Sequence, residues 1–258
     1  MTQVILERPF INIVNLIWSF DRSTNQVYLL LLKRAHTPCQ GRWALPETYL
    51  RSEESADQAA LRLVREKIGL DLSAIHTEQL ATFTHPKRAP GAKGQSRTLS
   101  LAYMTFLPEM PPLKAGYGAS DAKWFSFSFN QAGYCLQNGK LAFEAALSLT
   151  EEQYYQRAPK VAADPTHLAF DHEWIFKVAS LRIRNKLDYQ PNILLILGNE
   201  FTLKEARSVY ASFLMTKLEA IDNSNFKKTH GHLFEEIGTA NQQRPGRPAK
   251  LFRLHKTT

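Results

Sequence analysis

The sequence predicts a mixed α/β (α+β) chain of two domains. Three observations lead there: two apolar strand-like runs open the chain, one amphipathic helix is set among further strand-like runs in the first half, and the second half reads helix, helix, strand, turn, strand. With 44% apolar and 11% aromatic residues in 258, the composition supports two modest cores and excludes a disordered chain.

Taken in order, FINIVNLIWSF (10–20) and VYLLLLKR (27–34) read as strands joined by the polar turn Asp21 to Asn25, a hairpin. After a Pro/Gly-punctuated loop, Ala59, Leu61, Val64 and Ile68 recur at helical spacing and Gly69 supplies a stop. The runs 78–84, 98–107 and 122–129 are strand-like, and HPKRAPGAKGQSR between the first two is a basic, Gly/Pro-rich loop. Residues 141–157 read as a helix, and Pro159 and Pro165 bracket a linker. The expected boundary falls there, with a first domain over 1–157 and a second over 158–258. HLAFDHEWIFKVASLRIRNKL follows, with Leu168, Ile175, Val178, Leu181 and Leu187 near one face, as in an interdomain or dimerisation helix. Thr202-Leu203-Lys204-Glu205 is a capping box that starts a helix at Leu203, and Asp222 caps another from Asn223 to about His232. LFEEIGT and KLFRL then flank the turn ANQQRPGRPA.

The formal net charge is +8, and its distribution is uneven. Residues 165–258 hold 14 Lys/Arg against 9 Asp/Glu, and from Lys227 onward seven basic residues face two acidic ones. Such a tail suits an anionic partner. Cys39 and Cys135 lack metal-ligand spacing and give neither a disulfide framework nor a zinc site, which fits a cytoplasmic protein. No run reaches membrane-spanning length, and the N-terminus, with Glu7 and Arg8 early, shows no export signal.

GRWALPETYLRSEESADQAALRLVREKIGL resembles the Nudix signature, a loop and helix carrying a Gly, a Glu and an Arg-Glu…Glu-Glu…Gly cluster at fixed spacing. Anchored on Gly69, the positions Glu54, Arg62, Val64, Glu66 and Leu70 agree; Thr48 stands at the box Gly, Leu63 at the first helix Glu and Lys67 at the last. Side chains at i, i+3 and i+4 share a helix face, so three carboxylates there hold hard divalent cations against a pyrophosphate. Here only Glu66 remains on the helix, and the Lys67 ammonium repels Mg²⁺ while attracting phosphates. The site reads as phosphate-friendly and metal-poor, so no catalytic residue, metal or cofactor is assigned. The expected ligand-binding residues are Lys33, Arg34, Trp43, Glu54, Arg62, Glu66, Lys67 and Arg97, with Lys87, Arg88 and Lys93 also on the basic loop.

Two capped helices followed by a hairpin is the order of a winged helix-turn-helix, whose second helix enters the major groove. Asn223, Ser224, Asn225, Lys227 and Lys228 lie at the start of that helix, where Asn suits a bidentate contact to adenine. Arg244, Arg247 and Lys250 supply a basic wing, its Arg-Pro-Gly-Arg-Pro tip suited to a narrow minor groove.

The whole chain resembles the Nudix-related transcriptional regulators that control NAD metabolism in bacteria. GRWALP and the worn box look like their Nudix-like sensor, LAFDHEWI…LRIRNKLDYQP like their interdomain helix, and FTLKEARSVY, DNSNFKK and RPGRPAKLFRL like their DNA-reading end. The resemblance implies a homodimeric repressor that binds double-stranded operator DNA and releases it when ADP-ribose or a related nucleotide fills the sensor. Glu47-Thr48 departs from the Gly-Gly common in the family. The alternative is a Nudix hydrolase of ADP-ribose or a similar nucleoside diphosphate derivative with an accessory C-terminal domain, against which Leu63 and Lys67 argue.

Overall fold

The opening hairpin forms as its turn chemistry demands. Strands β1 (Phe10–Asp21) and β2 (Gln26–Arg34) pair antiparallel in the computed structural model, with Asp21 opposite Gln26. Asp21 accepts from the Ser23 backbone at 2.8 Å and from the Ser23 and Thr24 hydroxyls, and Asn25 takes the left-handed conformation at φ 58°. The structure describes residues 8–69, 76–88, 97–161, 164–240 and 248–255, with backbone alone at 158–161. The expected wing residues Arg244 and Arg247, and Lys93 of the basic loop, lie outside these.

Seven further strands complete the first sheet: β3 (Trp43–Ala44), β4 (Glu47–Tyr49), β5 (Thr77–Phe83), β6 (Thr98–Phe106), β7 (Ala119–Phe129), β8 (Gly133–Asn138) and β9 (Leu141–Ala146). Their order is β5-β6-β1-β2-β7-β8-β9, with β3 on β2 and β4 on β1, and the β1–β6 pair is parallel. Alternate residues of the central strands bury on opposite faces. Ile13 and Ile17 of β1, Leu30 of β2 and Tyr103 of β6 lie under helix α1 (Ala56–Ile68), against its Ala59, Ala60, Leu63, Val64 and Ile68. Val14, Leu16, Trp18, Leu29, Leu31, Phe125 and Phe127 face the other way, into a larger core.

Helix α1 begins where Ser55 and Gln58 exchange side-chain and backbone hydrogen bonds, and it ends at Gly69, whose φ of 72° favours glycine. The expected helix over 141–157 is corrected. Residues 141–146 are β9, in hairpin with β8, and helix α2 (Glu151–Val161) follows. LAFEAA has good helix formers, but its burial has period two, with Phe143 and Ala145 inside, and Gly139-Lys140 makes the hairpin turn, with Gly139 at φ 58°. Helix α2 continues through Pro159, so the expected linker starts later and the expected 157/158 boundary lies within a helix.

Helix α3 (His172–Lys186) joins the halves. It packs on β9 with one side and on helix α4 (Leu203–Leu214) with another. Ile175 and Leu187 are buried as expected; Val178 and Leu181 are only partly so, and Phe176, Ala179 and Ile183 carry more of the contact. The end of the chain has strand β10 (Phe201–Thr202), α4, helix α5 (Asn223–His230) and strands β11 (Phe234–Thr239) and β12 (Lys250–Leu254), in sheet order β10-β12-β11. Thr202 and Glu205 form the expected capping box, and Asp222 caps α5 through the Asn225 amide at 2.7 Å. This is a winged helix-turn-helix.

Its core is continuous with that of the first sheet. Phe213 of α4 meets Phe127 of β7 at 4.6 Å between ring centroids and Trp18 of β1 at 5.6 Å, and Phe176 of α3 stands 5.9 Å from Phe127. Each such ring contributes about 1.5–3 kcal/mol on full burial. Polar contacts border the joint: Arg22 donates to Glu205 and to the Leu197 and Glu200 carbonyls, and Asn25 bonds Ser208. Among the described residues no helix is long and apolar enough to cross a membrane.

Candidate effector site and DNA-reading end

Arg62 and Glu66 stand one turn apart on the box helix, beside the buried Leu63. Arg62 holds both remaining carboxylates: Nε and Nη2 donate to the two oxygens of Glu54 at 2.7 and 2.6 Å, and Nη1 donates to Glu66 at 2.9 Å and to the Thr48 hydroxyl at 3.2 Å. Nη2 also reaches the Tyr49 carbonyl at 3.0 Å, and Arg51 takes the other Glu66 oxygen at 3.1 Å. Arg62 beside Glu54 holds that carboxyl well below its usual range, at about 2.

These residues do not fit the divalent cation that the box implies. A guanidinium already lies between the two carboxylates, Leu63 is fully buried where the first helix carboxylate would project, and Lys67 brings a positive charge to the last. Among the described residues no group of three or more His, Cys, Asp or Glu side chains is placed to hold a metal.

A second cluster lies beside the first. Arg34, at the end of β2, pairs with Glu47, donates to the Pro38 carbonyl at 2.8 Å and places its guanidinium 4.7 Å from the Phe170 ring centroid. Glu47 also accepts from Asn12 at 3.0 Å and lies 3.7 Å from Nε2 of His172, the first residue of α3. His172 Nδ1 accepts from the Leu45 amide at 2.9 Å, which assigns the ring proton to Nε2, facing Glu47. Burial pushes the His172 pKa down, and the Glu47 charge opposes this. Lys67 donates to the Tyr117 carbonyl, and its pKa is lowered by burial, with Glu47, Arg34, Glu66 and Arg62 all within electrostatic reach. Cations, carboxylates and the N-terminus of α3 thus meet in one place.

The structure brings together Arg34, Glu54, Arg62, Glu66 and Lys67 of the expected ligand set. Trp43 and Arg97 go elsewhere, and among the described residues Lys33 is fixed by its backbone neighbours alone. Trp43 is 6% exposed and packs edge-on to Phe125 at 5.1 Å in the core, so its ring is not open to a ligand. Lys33 lies opposite Trp43 and Asp121 in the sheet, and its carbonyl accepts from Ser120. Arg97 donates to the Thr84 carbonyl at 3.3 Å. Arg88 of the basic loop is also corrected: it is 3% exposed and clamps Asp171 through Nε and Nη2 at 2.8 and 3.0 Å, with the Tyr155 hydroxyl on the same carboxylate at 2.6 Å. Glu47, Asn12 and His172, central here, were not among the expected site residues; the one signal was Glu47-Thr48 in place of Gly-Gly.

At the other end, Asn223, Ser224 and Asn225 are exposed in the first turn of α5, where Asn223 accepts from Arg207 at 3.5 Å; Lys227 and Lys228 fall in its last turn and not at the expected start. Lys227 turns to the wing, 3.6 Å from Glu236 and 5.7 Å from the Phe252 ring centroid, and Lys250 bonds the same Glu236. One carboxylate therefore partners two of the expected phosphate-binding lysines.

Sequence families match along these same lines. The NUDIX domain family matches residues 12–139, and the NrtR DNA-binding winged helix domain matches residues 193–254. The chain joins a Nudix domain to an NrtR-type winged helix. It is built as an NrtR-like transcriptional regulator. It is similar to the ADPR responsive transcriptional repressor NtrR of Acinetobacter baylyi, with 25% identity over 254 residues that span 95% of this chain and 82% of that protein. The crystal structure of a MutT/nudix family protein from Enterococcus faecalis covers 99% of this chain and 90% of its own at 28% identity and a TM-score of 0.81. Shewanella oneidensis NrtR, complexed with a 27mer DNA, shares the fold at 22% identity and a TM-score of 0.62, over 95% of this chain and 93% of that one. The Nudix match thus takes in β1 to β8 and α1, and the winged-helix match the second sheet with α4 and α5.

Proposed function

We propose that this chain is a cytoplasmic repressor that binds a two-fold operator as a homodimer and releases it when ADP-ribose or a related nucleotide occupies the Nudix half. The genes it controls would be those of NAD metabolism. The observation that carries the reading is the Arg34, Arg62 and Lys67 cluster in a box whose first and last helix-carboxylate positions hold Leu63 and Lys67, joined through Glu47 and His172 to α3. A site of this kind binds a diphosphate without organising its hydrolysis, so the reading includes no pyrophosphohydrolase activity. The resemblance to an ADP-ribose-responsive repressor supports the effector, and the resemblance to NrtR supports the DNA partner. The same reading assigns the first sheet with α1 and α2 to sensing, and α3 onward to coupling and DNA binding.

A ligand shifts DNA affinity only by binding two arrangements unequally, and the coupling is reciprocal. Phosphates that draw Arg34 from Glu47 leave that carboxylate to His172 and Asn12, which changes the contact at the start of α3. Titration of ADP-ribose into the protein, with and without operator DNA, is expected to show affinities differing about 5- to 150-fold. Equal affinities would remove the effector reading and leave the Nudix half as a scaffold.

A further inference from the structure

Before β7 the chain makes a turn that is fastened on two sides. The Gly116 amide donates to the Lys67 carbonyl at 3.2 Å, at the end of α1, and the Gly118 carbonyl accepts from the Ala35 amide at 3.0 Å, beside Arg34. The Ala119 amide closes the turn on the Gly116 carbonyl at 3.1 Å. A Cβ on Gly116 would stand 2.2 Å from the Glu66 carbonyl oxygen, so only glycine allows this approach, and Gly118 has a φ of +80°.

The residue held between these two glycines is Tyr117. Its side chain is the most exposed large apolar group of the described residues, at 85%, and its carbonyl accepts the Lys67 ammonium, whose Nζ lies 5.6 Å from the ring centroid. An exposed ring gains little from folding. Here a rigid turn nonetheless holds one at the rim of a cationic cluster, with Lys67 on one flank and the end of β2 on the other.

We infer that Tyr117 is the stacking platform for the base of the nucleotide whose phosphates Arg34 and Lys67 receive. This deepens the effector reading above and rests on it. One ribose separates a base from its first phosphate, and the 5.6 Å between ring and ammonium places the two subsites at neighbouring points of such a ligand. The Lys67 ammonium serves twice, taking phosphate charge and, through its bond to the Tyr117 carbonyl, fixing the platform. Stacking on one face is tolerant of which base is presented, so the platform selects a base-bearing diphosphate over a bare one and leaves base identity to other contacts.

The test is calorimetric titration of the full-length protein with ADP-ribose, ADP and inorganic pyrophosphate, for the unaltered chain, Tyr117→Ala and Tyr117→Phe. Tyr117→Ala should weaken ADP-ribose and ADP by about 5- to 150-fold, the range of one stacked base, and leave pyrophosphate affinity in place. Tyr117→Phe keeps the ring and should bind within about 2-fold of the unaltered chain. Unaltered ADP-ribose affinity in Tyr117→Ala overturns the platform alone. Equal losses for ADP-ribose and pyrophosphate, or a change of oligomeric state in Tyr117→Ala, would make the turn a structural or subunit contact and also overturn it. If the unaltered chain binds no base-bearing diphosphate, the effector reading falls and the platform with it.

Discussion

Breaking the Arg62–Glu54 pair tests the claim that the box is closed on itself. Both side chains are 12% exposed and meet through two hydrogen bonds, at 2.6 and 2.7 Å, a geometry between a surface pair and a buried one. The fall of the Glu54 pKa from 4.5 to about 2 corresponds to about 3 kcal/mol in favour of the charged form. Water at the rim screens part of this, so a double-mutant cycle of Arg62→Met and Glu54→Gln should give a coupling of about 1–2 kcal/mol at pH 7 in urea unfolding. The companion cycle with Glu66→Gln should give less, about 0.5 kcal/mol, because Glu66 is 36% exposed and keeps Arg51. The sign with pH follows from the depressed pKa: the contribution is complete above about 4.5 and is lost as pH falls toward 2. The Glu54 coupling should therefore shrink between pH 5 and about pH 3. A coupling near zero at pH 7 would refute the reasoning. So would stabilisation by Mg²⁺ that disappears in Glu54→Gln, since the carboxylate would then be serving a cation.

With Mg²⁺ or Mn²⁺ present, purified protein should release no AMP from ADP-ribose above a Glu66→Ala control; rapid release that depends on Glu66 would establish the hydrolase instead. Glu236 should act against DNA, because phosphates must compete with it for Lys227 and Lys250. Glu236→Gln should tighten operator binding about 3- to 10-fold and steepen its salt dependence by up to about two phosphate contacts, measured by fluorescence anisotropy over a salt series; weaker binding would assign Glu236 to base readout.

What the sequence disclosed was mostly local. The Asp21–Asn25 turn, the Thr202 capping box and the Asp222 cap are hydrogen-bond patterns completed within a few residues, and each forms where its spacing places it. The stretch 141–157 misled because Ala and Leu favour helices while the pairing with β8, a tertiary contact, makes a strand. The box identified Glu54, Arg62, Glu66 and Lys67 because they share one loop and helix. Nothing local joins Glu47 to His172 or Arg88 to Asp171, pairs made across most of a domain by the closing of the sheet on α3. Arg88 looked available for an anion for that reason: its partner lies 83 residues away.

The aromatic contacts of Trp18, Phe127, Phe176 and Phe213 weld the DNA-reading head to the sensor sheet. A head packed in this way is expected to travel with the sensor as a lever. In the proposed two-fold dimer, a sensor rotation of about 15°, a size known for subunit motions, would act on an arm of about 18 Å, the radius of gyration of a compact chain of this length. The tip then moves about 5 Å, more than the roughly 3.4 Å rise of one base pair. Two heads set one helical turn apart, about 34 Å, would lose register with both half-sites together, so a small tilt between sensors would end DNA binding while each head kept its shape.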